Sequence, residues 1–230
     1  RKLGLGPSKR DIQHLKDALK LLPKQHPLSP MLSQALDFQD DAALADALLN
    51  PQDRAYSVPE IFDFLDRAKL EFGRWLRQAP YQPTCGLFAS SPHRDALSRL
   101  QTPEQYAAAE LFRGTMFMHS FVVYHASSSA NPQSMDFGTD AWLDYVPFCL
   151  PETICLRERL PEGAAAVLIN RSHTFTDLFL PISPEQDRVY RLIDGKRSAK
   201  ELLTLSGNPK VFRSFLELLW RQDQILFDRS

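Results

Sequence analysis

Glycine scarcity is the feature that most restricts what this chain can fold into, with only 9 glycines among 230 residues. Ordinary proteins contain about 7% glycine. Folds that bind nucleotides need a glycine-rich turn where the backbone approaches a phosphate or a ribose. The one close pair, Gly4 and Gly6, comes near the first residue and follows no strand-like segment. We therefore predict that this chain supplies no nucleotide-binding turn of its own.

Charge and cysteine usage exclude several classes of partner. Lys and Arg number 27 against 28 Asp and Glu, a balance that argues against nucleic acid as a partner. The longest apolar runs fall well short of the roughly 18 residues of a membrane span, so no membrane partner is expected. Cys85, Cys149 and Cys155 are an odd set without CxxC spacing, which favours a cytoplasmic protein. The oligomeric state stays open.

Helix signals dominate residues 1–69. Ser8 is a good N-cap with an acidic residue three positions on, and the helix that it opens ends before Pro23. Ser57 and Glu60 form a capping box, with Pro59 in the first turn of the following helix. We predict helices over 8–22, 30–36, 42–49 and 57–68.

Strand patterns begin after residue 69. Segments 70–76 and 116–126 are rich in aromatic and β-branched residues and predict strands, separated by a Pro-rich loop and a helix over 102–113. Residues 127–140 are small and polar and predict a linker. Beyond them we predict strands at 146–150, 154–158, 164–169 and 174–181. Helices at 183–193, 198–207 and 209–221 and a strand at 224–228 follow, an order typical of a winged-helix-like domain.

Residues 46–65 (DALLNPQDRAYSVPEIFDFL) carry a resemblance to a known family. They resemble a segment that follows the fifth strand in class I S-adenosylmethionine (SAM)-dependent methyltransferases. Segments 68–72 (AKLEF), 78–86 (QAPYQPTCG), 110–115 (ELFRGT) and 119–124 (HSFVVY) are similar to what comes next in that family. The resemblance covers residues 1–126, and segments 163–170 and 192–198 are similar to small winged-helix-like domains appended to some of these enzymes.

The resemblance implies a helix-rich α+β fold. Residues 1–126 would be the C-terminal part of a methyltransferase domain, with a helical substrate-side region at 1–69 and the last strands of a Rossmann-like sheet at 70–126. A linker at 127–140 and a winged-helix-like domain at 141–230 would follow. The SAM motif lies upstream of the matched region in that family, so we expect this chain to be a piece of a longer enzyme. We expect no cofactor to be bound by this chain and SAM to be bound by the full-length parent enzyme.

Two functions follow from this interpretation. The chain is either the substrate-recognition region of a methyltransferase, inactive alone and facing a small-molecule or protein methyl acceptor, or a non-catalytic module that binds a protein or peptide. No catalytic residue is assigned. The six histidines show no HxH or HExxH spacing, so no metal site is predicted.

Five residues are the candidates for substrate binding, each with a structural alternative. Tyr81 and Cys85 lie in the loop after the 70–76 strand, where functional residues concentrate, and would otherwise simply pack. Tyr56 and Trp75 would form an aromatic pocket wall or part of the core. His119 would be a general base or a hydrogen-bonded histidine at a strand end. Glu110 and Arg113, three residues apart on a helix, are expected to form a surface ion pair.

Overall fold

A computed structural model describes residues 3–26, 28–29, 32, 40–114, 116, 118–125 and 135–229. The chain divides into two compact units, residues 1–56 and 57–230. The helix-rich α+β class is confirmed, with small antiparallel sheets. Among the described residues, no helix is long and apolar enough to span a bilayer.

The first unit contains two described helices. α1 (Lys9–Lys20) begins where the Ser8 hydroxyl accepts a hydrogen bond from the backbone N–H of Asp11. α2 (Asp41–Leu49) is capped in the same way by Asp40. The apolar stripes of the two helices meet in a small core made of Ile12, Leu15, Leu19, Leu44, Ala45 and Leu49. The predicted helix at 30–36 lies almost entirely outside the described residues.

The second unit begins with a helix that starts at a capping box and a strand that follows it directly. α3 (Val58–Ala68) starts at Ser57, whose backbone N–H donates to Glu60, and it ends at Lys69 in a left-handed conformation with φ 55°. β1 (Leu70–Trp75) follows at once and pairs antiparallel with β2 (Phe121–His125). α4 (Arg94–Leu97) and α5 (Thr102–Arg113) lie between the two strands along the chain.

The second strand is shorter than the predicted span of 116–126. β1 ends at Trp75 and its last partner is Phe121, after which the chain turns into a short 3₁₀ segment at Ala79–Tyr81. Met116, Met118 and His119, the described residues of this span before Ser120, therefore have no neighbouring strand to pair with, although the composition is strand-like. This early end of the sheet brings Tyr81 close to His119.

Gly73 sits at an irregularity in the register between Phe72 and Arg74. A Cβ atom at this position would lie 2.5 Å from Cε2 of Tyr124 and 3.0 Å from the carbonyl oxygen of Val122. We expect Gly73→Ala to lower the free energy of unfolding by about 1–3 kcal/mol, the usual cost of overpacking. Urea denaturation of the variant and the parent chain measures this loss, and equal midpoints with equal slopes would contradict the close approach of the two strands.

The remainder of the second unit has its own core. β3 (Val146–Cys149) pairs with β7 (Ile225–Asp228), and β4 (Thr153–Leu156), β5 (Ala166–Asn170) and β6 (Phe179–Ile182) form an antiparallel sheet. α6 (Pro184–Leu192), α7 (Ala199–Ser206) and α8 (Pro209–Arg221) pack against these strands. The order of three helices and a strand agrees with the predicted elements. The core includes Trp142, Leu168, Leu202, Phe212, Phe215 and Leu219.

The predicted linker at 127–140 is described only from residue 135 onward. In that part, Met135 and Phe137 pack against the core of the C-terminal elements. Residues on either side of the segment also contact each other, since Asp223 accepts a hydrogen bond from the backbone N–H of Ala79 at 2.8 Å. The division into domains at 127–140 stays a prediction.

Candidate functional site

Three of the five candidate residues meet in one cluster. The rings of Trp75 and Tyr81 stack with centroids 4.0 Å apart and an interplanar angle of 6°. The Tyr81 hydroxyl lies 2.7 Å from Nδ1 of His119. Trp75 comes from the end of β1, Tyr81 from the 3₁₀ turn that follows, and His119 from the segment leading into β2, so the early end of the sheet assembles the cluster.

Glu110, on α5, completes this cluster. Its Oε1 lies 3.2 Å from Nε2 of His119, and its Oε2 accepts the backbone N–H of Val58 at 2.9 Å. The second bond satisfies one of the N–H groups that a helix leaves without an internal partner in its first turn. Glu110 is thus fixed between the start of α3 and the histidine.

The predicted ion pair between Glu110 and Arg113 is wrong. Arg113 instead donates from Nε to the carbonyl oxygen of Pro80 at 2.7 Å and from a terminal nitrogen to Asp177 at 3.0 Å. Its side chain is only 3% exposed. A buried guanidinium must find well-aligned acceptors, and the tertiary structure provides them at Pro80 and Asp177. Helix spacing alone does not reveal this choice of partner.

The chemistry of the three groups sets the direction of the Tyr81–His119 hydrogen bond. A carboxylate 3.2 Å from Nε2 favours a proton on that nitrogen over a lone pair, so the contact with Glu110 places the ring proton of His119 on Nε2. Nδ1 then holds a lone pair and accepts the hydroxyl proton of Tyr81. Burial, together with the negative charge of Glu110, raises the pKa of Tyr81 well above its usual value, so the phenol stays protonated. Its oxygen still has lone pairs with which to accept a further hydrogen bond.

Tyr81 also lines a small apolar pocket with a volume of about 130 Å³. The pocket is bounded mainly by carbon and sulfur, with few polar groups, a composition common in ligand sites. Its other lining residues include Arg77, Pro80, Met116, Met118, His173 and Phe175. The space suits one side chain or a small organic group.

Arg113 connects two walls of this pocket. Besides its bond to the carbonyl of Pro80, its guanidinium lies 4.6 Å from the ring centroid of Phe175. Asp177, its ionic partner, also accepts the backbone N–H of Leu87 at 2.8 Å. Arg113 is therefore a positioning residue for the pocket rather than part of its lining.

His173, which lines the same pocket, lies beside a buried aspartate. Nε2 of His173 is 3.4 Å from Oδ2 of Asp223 but is not aligned with it for a hydrogen bond. Burial, with the nearby charges of Arg77 and Arg113, lowers the pKa of His173 to about 4. Burial raises the pKa of Asp223 to about 6, although the carboxylate accepts hydrogen bonds from Ala79 and Gln78. Neither residue stood out from the sequence.

Cys85 does not line the pocket. It is fully buried between Ala79 and Leu178, and its Sγ faces the carbonyl oxygen of Arg221 at 3.8 Å. Burial raises the pKa of the thiol to about 12, so it is not a thiolate near neutral pH. The packing alternative agrees with this environment.

The burial of Cys85 has a chemical consequence. We expect iodoacetamide to modify Cys85 at least about tenfold more slowly than the partly exposed Cys155, because the thiolate is the reactive form and the native fold disfavours it. Mass spectrometry of peptides after timed labelling measures both rates. In guanidinium chloride the two rates should converge; equal rates in the native protein would mean that Cys85 is accessible.

Tyr56 belongs to the first unit and has no described place in the cluster. The guanidinium of Arg54 lies 4.8 Å from its ring centroid. The tyrosine ring is 36% exposed. Its role in substrate binding stays a prediction.

The described residues do not fit a SAM site. Their strands all pair antiparallel, and none of the turns among them is a glycine-rich connection from a parallel strand to a helix. Nucleoside cofactors in Rossmann-like folds bind at such a connection. Over the same described ranges, no three His, Cys, Asp or Glu side chains are grouped to hold a metal ion.

The chain was also compared with models of known protein families, and none of these models matches it.

Proposed function

We propose that this chain is the substrate-recognition region of a SAM-dependent methyltransferase and that Tyr81 receives the methyl acceptor. The single observation that carries the second part is the series Tyr81–His119–Glu110 beside an apolar pocket, in which the tyrosine hydroxyl hydrogen-bonds the imidazole and the imidazole makes an ion-pair contact with the carboxylate. The methyltransferase assignment rests on the sequence resemblance of residues 1–126. The donor SAM would bind elsewhere in the longer protein, and it takes no part in the proton transfers between the acceptor, Tyr81 and His119.

The hydrogen-bond directions predict which group the pocket selects. The phenol proton of Tyr81 is committed to His119, so the oxygen can act only as an acceptor toward a ligand. The ligand must therefore present an N–H or O–H group, and the apolar walls favour carbon atoms around that group. An amine or hydroxyl on a small molecule or on a protein side chain meets both conditions.

The same series can take a proton from the acceptor. As the N–H or O–H group loses its proton to the oxygen of Tyr81, the phenol's own proton passes to Nδ1 of His119. The imidazolium that forms is balanced by the carboxylate of Glu110, which is only 17% exposed. A histidine oriented by a carboxylate is an effective general base. Tyr81 remains neutral throughout the transfer, as its raised pKa requires.

Imidazole NMR tests the assigned tautomer. We expect the ¹⁵N spectrum of His119 in the neutral ring to show a protonated Nε2 and an unprotonated, hydrogen-bonded Nδ1. Tyr81→Phe should shift the Nδ1 resonance toward that of an unbonded nitrogen and leave Nε2 nearly unchanged. Tyr190→Phe, which alters a tyrosine remote from the cluster, is the control. A protonated Nδ1 in the parent chain would contradict the proposed direction of the Tyr81–His119 hydrogen bond.

Calorimetric titration with SAM tests the assignment to a methyltransferase. This chain should show no binding, because its described residues do not form the site. The longer protein should bind SAM with micromolar affinity, about -8 kcal/mol. Failure of the longer protein to bind would reject the enzyme and favour the non-catalytic binding module.

A further inference from the structure

A second and much larger groove lies in the same unit, with a volume of about 740 Å³. It is bounded by the β1–β2 pair, by the first turns of α5, and by the end of α8 with β3 and β7. Its size is that of a site for an organic molecule of several rings. The residues that matter for its chemistry are Arg74, Tyr106, Tyr124, Trp220, Arg221 and Arg229.

Positive charge is concentrated in this groove. Among the described residues, three arginines and one aspartate, Asp228, line it, whereas the whole chain has a formal net charge of -1. Arg221 is ion-paired with Glu217, which lies outside the lining, at 2.7 Å. The arrangement favours an anion over a neutral or cationic ligand.

Arg74 is the arginine whose positive charge is least balanced by nearby carboxylates. It is half-buried in β1, and its Nε donates to the carbonyl oxygen of Trp75 at 3.3 Å. Burial lowers its pKa, with the charge of Asp223 acting in the opposite direction. Over the described part of the chain, no carboxylate lies within ion-pair distance of its guanidinium. A guanidinium has five N–H donors in a planar fork that matches a carboxylate or phosphate.

Aromatic side chains surround that arginine. Its guanidinium lies 5.7 Å from the ring centroid of Trp220, and the rings of Tyr106 and Tyr124 line the groove nearby. Rings in such a groove can stack with a planar ligand, while the amides of Gln82 and Gln105 add hydrogen-bonding capacity. Charge and aromatic surface thus occur together in one concave site.

We propose that this groove binds a small aromatic anion, in which a planar ring carries a carboxylate or phosphate group. The anion would pair with the guanidinium groups of Arg74 and Arg221, and the ring would pack on Trp220 and the two tyrosines. The proposal is independent of methyl transfer, because the groove and the Tyr81 pocket share no lining residue in the part of the chain that the structure describes.

The test titrates the chain with indole-3-acetate and with its neutral isostere indole-3-acetamide, following backbone amide shifts at low salt. We expect saturable binding of the acetate with submillimolar affinity and at least tenfold weaker binding of the acetamide and of plain acetate. Phenyl phosphate replaces indole-3-acetate in a second arm, and the tighter of the two anions identifies the anionic group.

Substitutions of groove residues test whether indole-3-acetate binds in the groove. Arg74→Gln should weaken binding of indole-3-acetate at least tenfold, and Arg221→Gln provides a second test at a partly exposed site. Arg188→Gln, on the exposed face of α6, should leave the affinity unchanged. Equal affinity for acetate and acetamide, unchanged affinity in both groove variants, or no saturation by either anion at millimolar concentration would overturn the proposal.

Discussion

Arg113→Met should lower the free energy of unfolding of the second unit by about 3–5 kcal/mol, the usual cost of removing one partner of a buried ion pair. The arginine side chain is 3% exposed and that of Asp177 is 15% exposed. Removing the guanidinium leaves the Asp177 carboxylate without its counter-charge and the carbonyl of Pro80 without its donor. Methionine retains most of the packing volume, so the loss would be mainly electrostatic.

Chemical denaturation followed by far-UV circular dichroism measures this loss. Arg188→Met is the matched control, because the exposed Arg188 should change stability by no more than about 0.5 kcal/mol. A loss below about 1 kcal/mol for Arg113→Met would mean that water solvates Asp177 readily, in conflict with its burial.

His173 and Asp223 should give opposite pH dependences of stability when each is replaced. The folded-state pKa of Asp223 is raised to about 6, so its contribution is present at low pH and is lost as the pH rises through 6. The folded-state pKa of His173 is lowered to about 4, so its contribution is present above pH 6.5 and is lost as the pH falls toward 4. Each shift of about two pKa units corresponds to about 3 kcal/mol. In the parent chain the two contributions largely cancel between pH 7 and 4.

Denaturation of three proteins between pH 7 and 4 measures the effect. Relative to the parent chain, Asp223→Asn should lose about 3 kcal/mol of stability as the pH falls through this range, because only the parent gains from protonating the aspartate. His173→Gln should gain a similar amount relative to the parent over the same range. Other carboxyl groups titrate alike in all three proteins, so their contributions cancel when the stability of each variant is compared with that of the parent chain. Two variants that follow the parent in parallel would show that neither group is desolvated.

Local sequence signals predicted the elements well because their causes are local. The capping box of Ser57 and Glu60 sets the start of α3 whatever the rest of the chain does, and the same holds for Ser183 and Ser198 at the later helices. Aromatic and β-branched content likewise located β1 and most of the later strands. The start of β2 at Phe121 depends on where its partner strand stops, which composition does not encode.

The candidate site was only partly predictable for the same reason. Trp75, Tyr81 and His119 stood out because they flank strand ends and a loop. Glu110 was assigned to the wrong partner, since the i, i+3 spacing says nothing of the acceptors that Pro80 and Asp177 offer to Arg113. His173 and Asp223 are far apart in sequence, and only the tertiary fold brings them together.

The proposed function depends most on the oxygen of Tyr81, which Tyr81→Phe removes. Because the proposal makes this chain part of a longer SAM-dependent methyltransferase, the decisive measurement is the methyl-transfer rate of that protein with radiolabelled SAM and its acceptor, for the parent sequence, Tyr81→Phe and the remote control Tyr190→Phe. We predict that Tyr81→Phe lowers kcat by about 10²–10⁴-fold, the usual contribution of general base catalysis, while SAM affinity and the control remain unchanged. A Tyr81→Phe enzyme with kcat within about threefold of the parent would contradict the role of this series in the reaction.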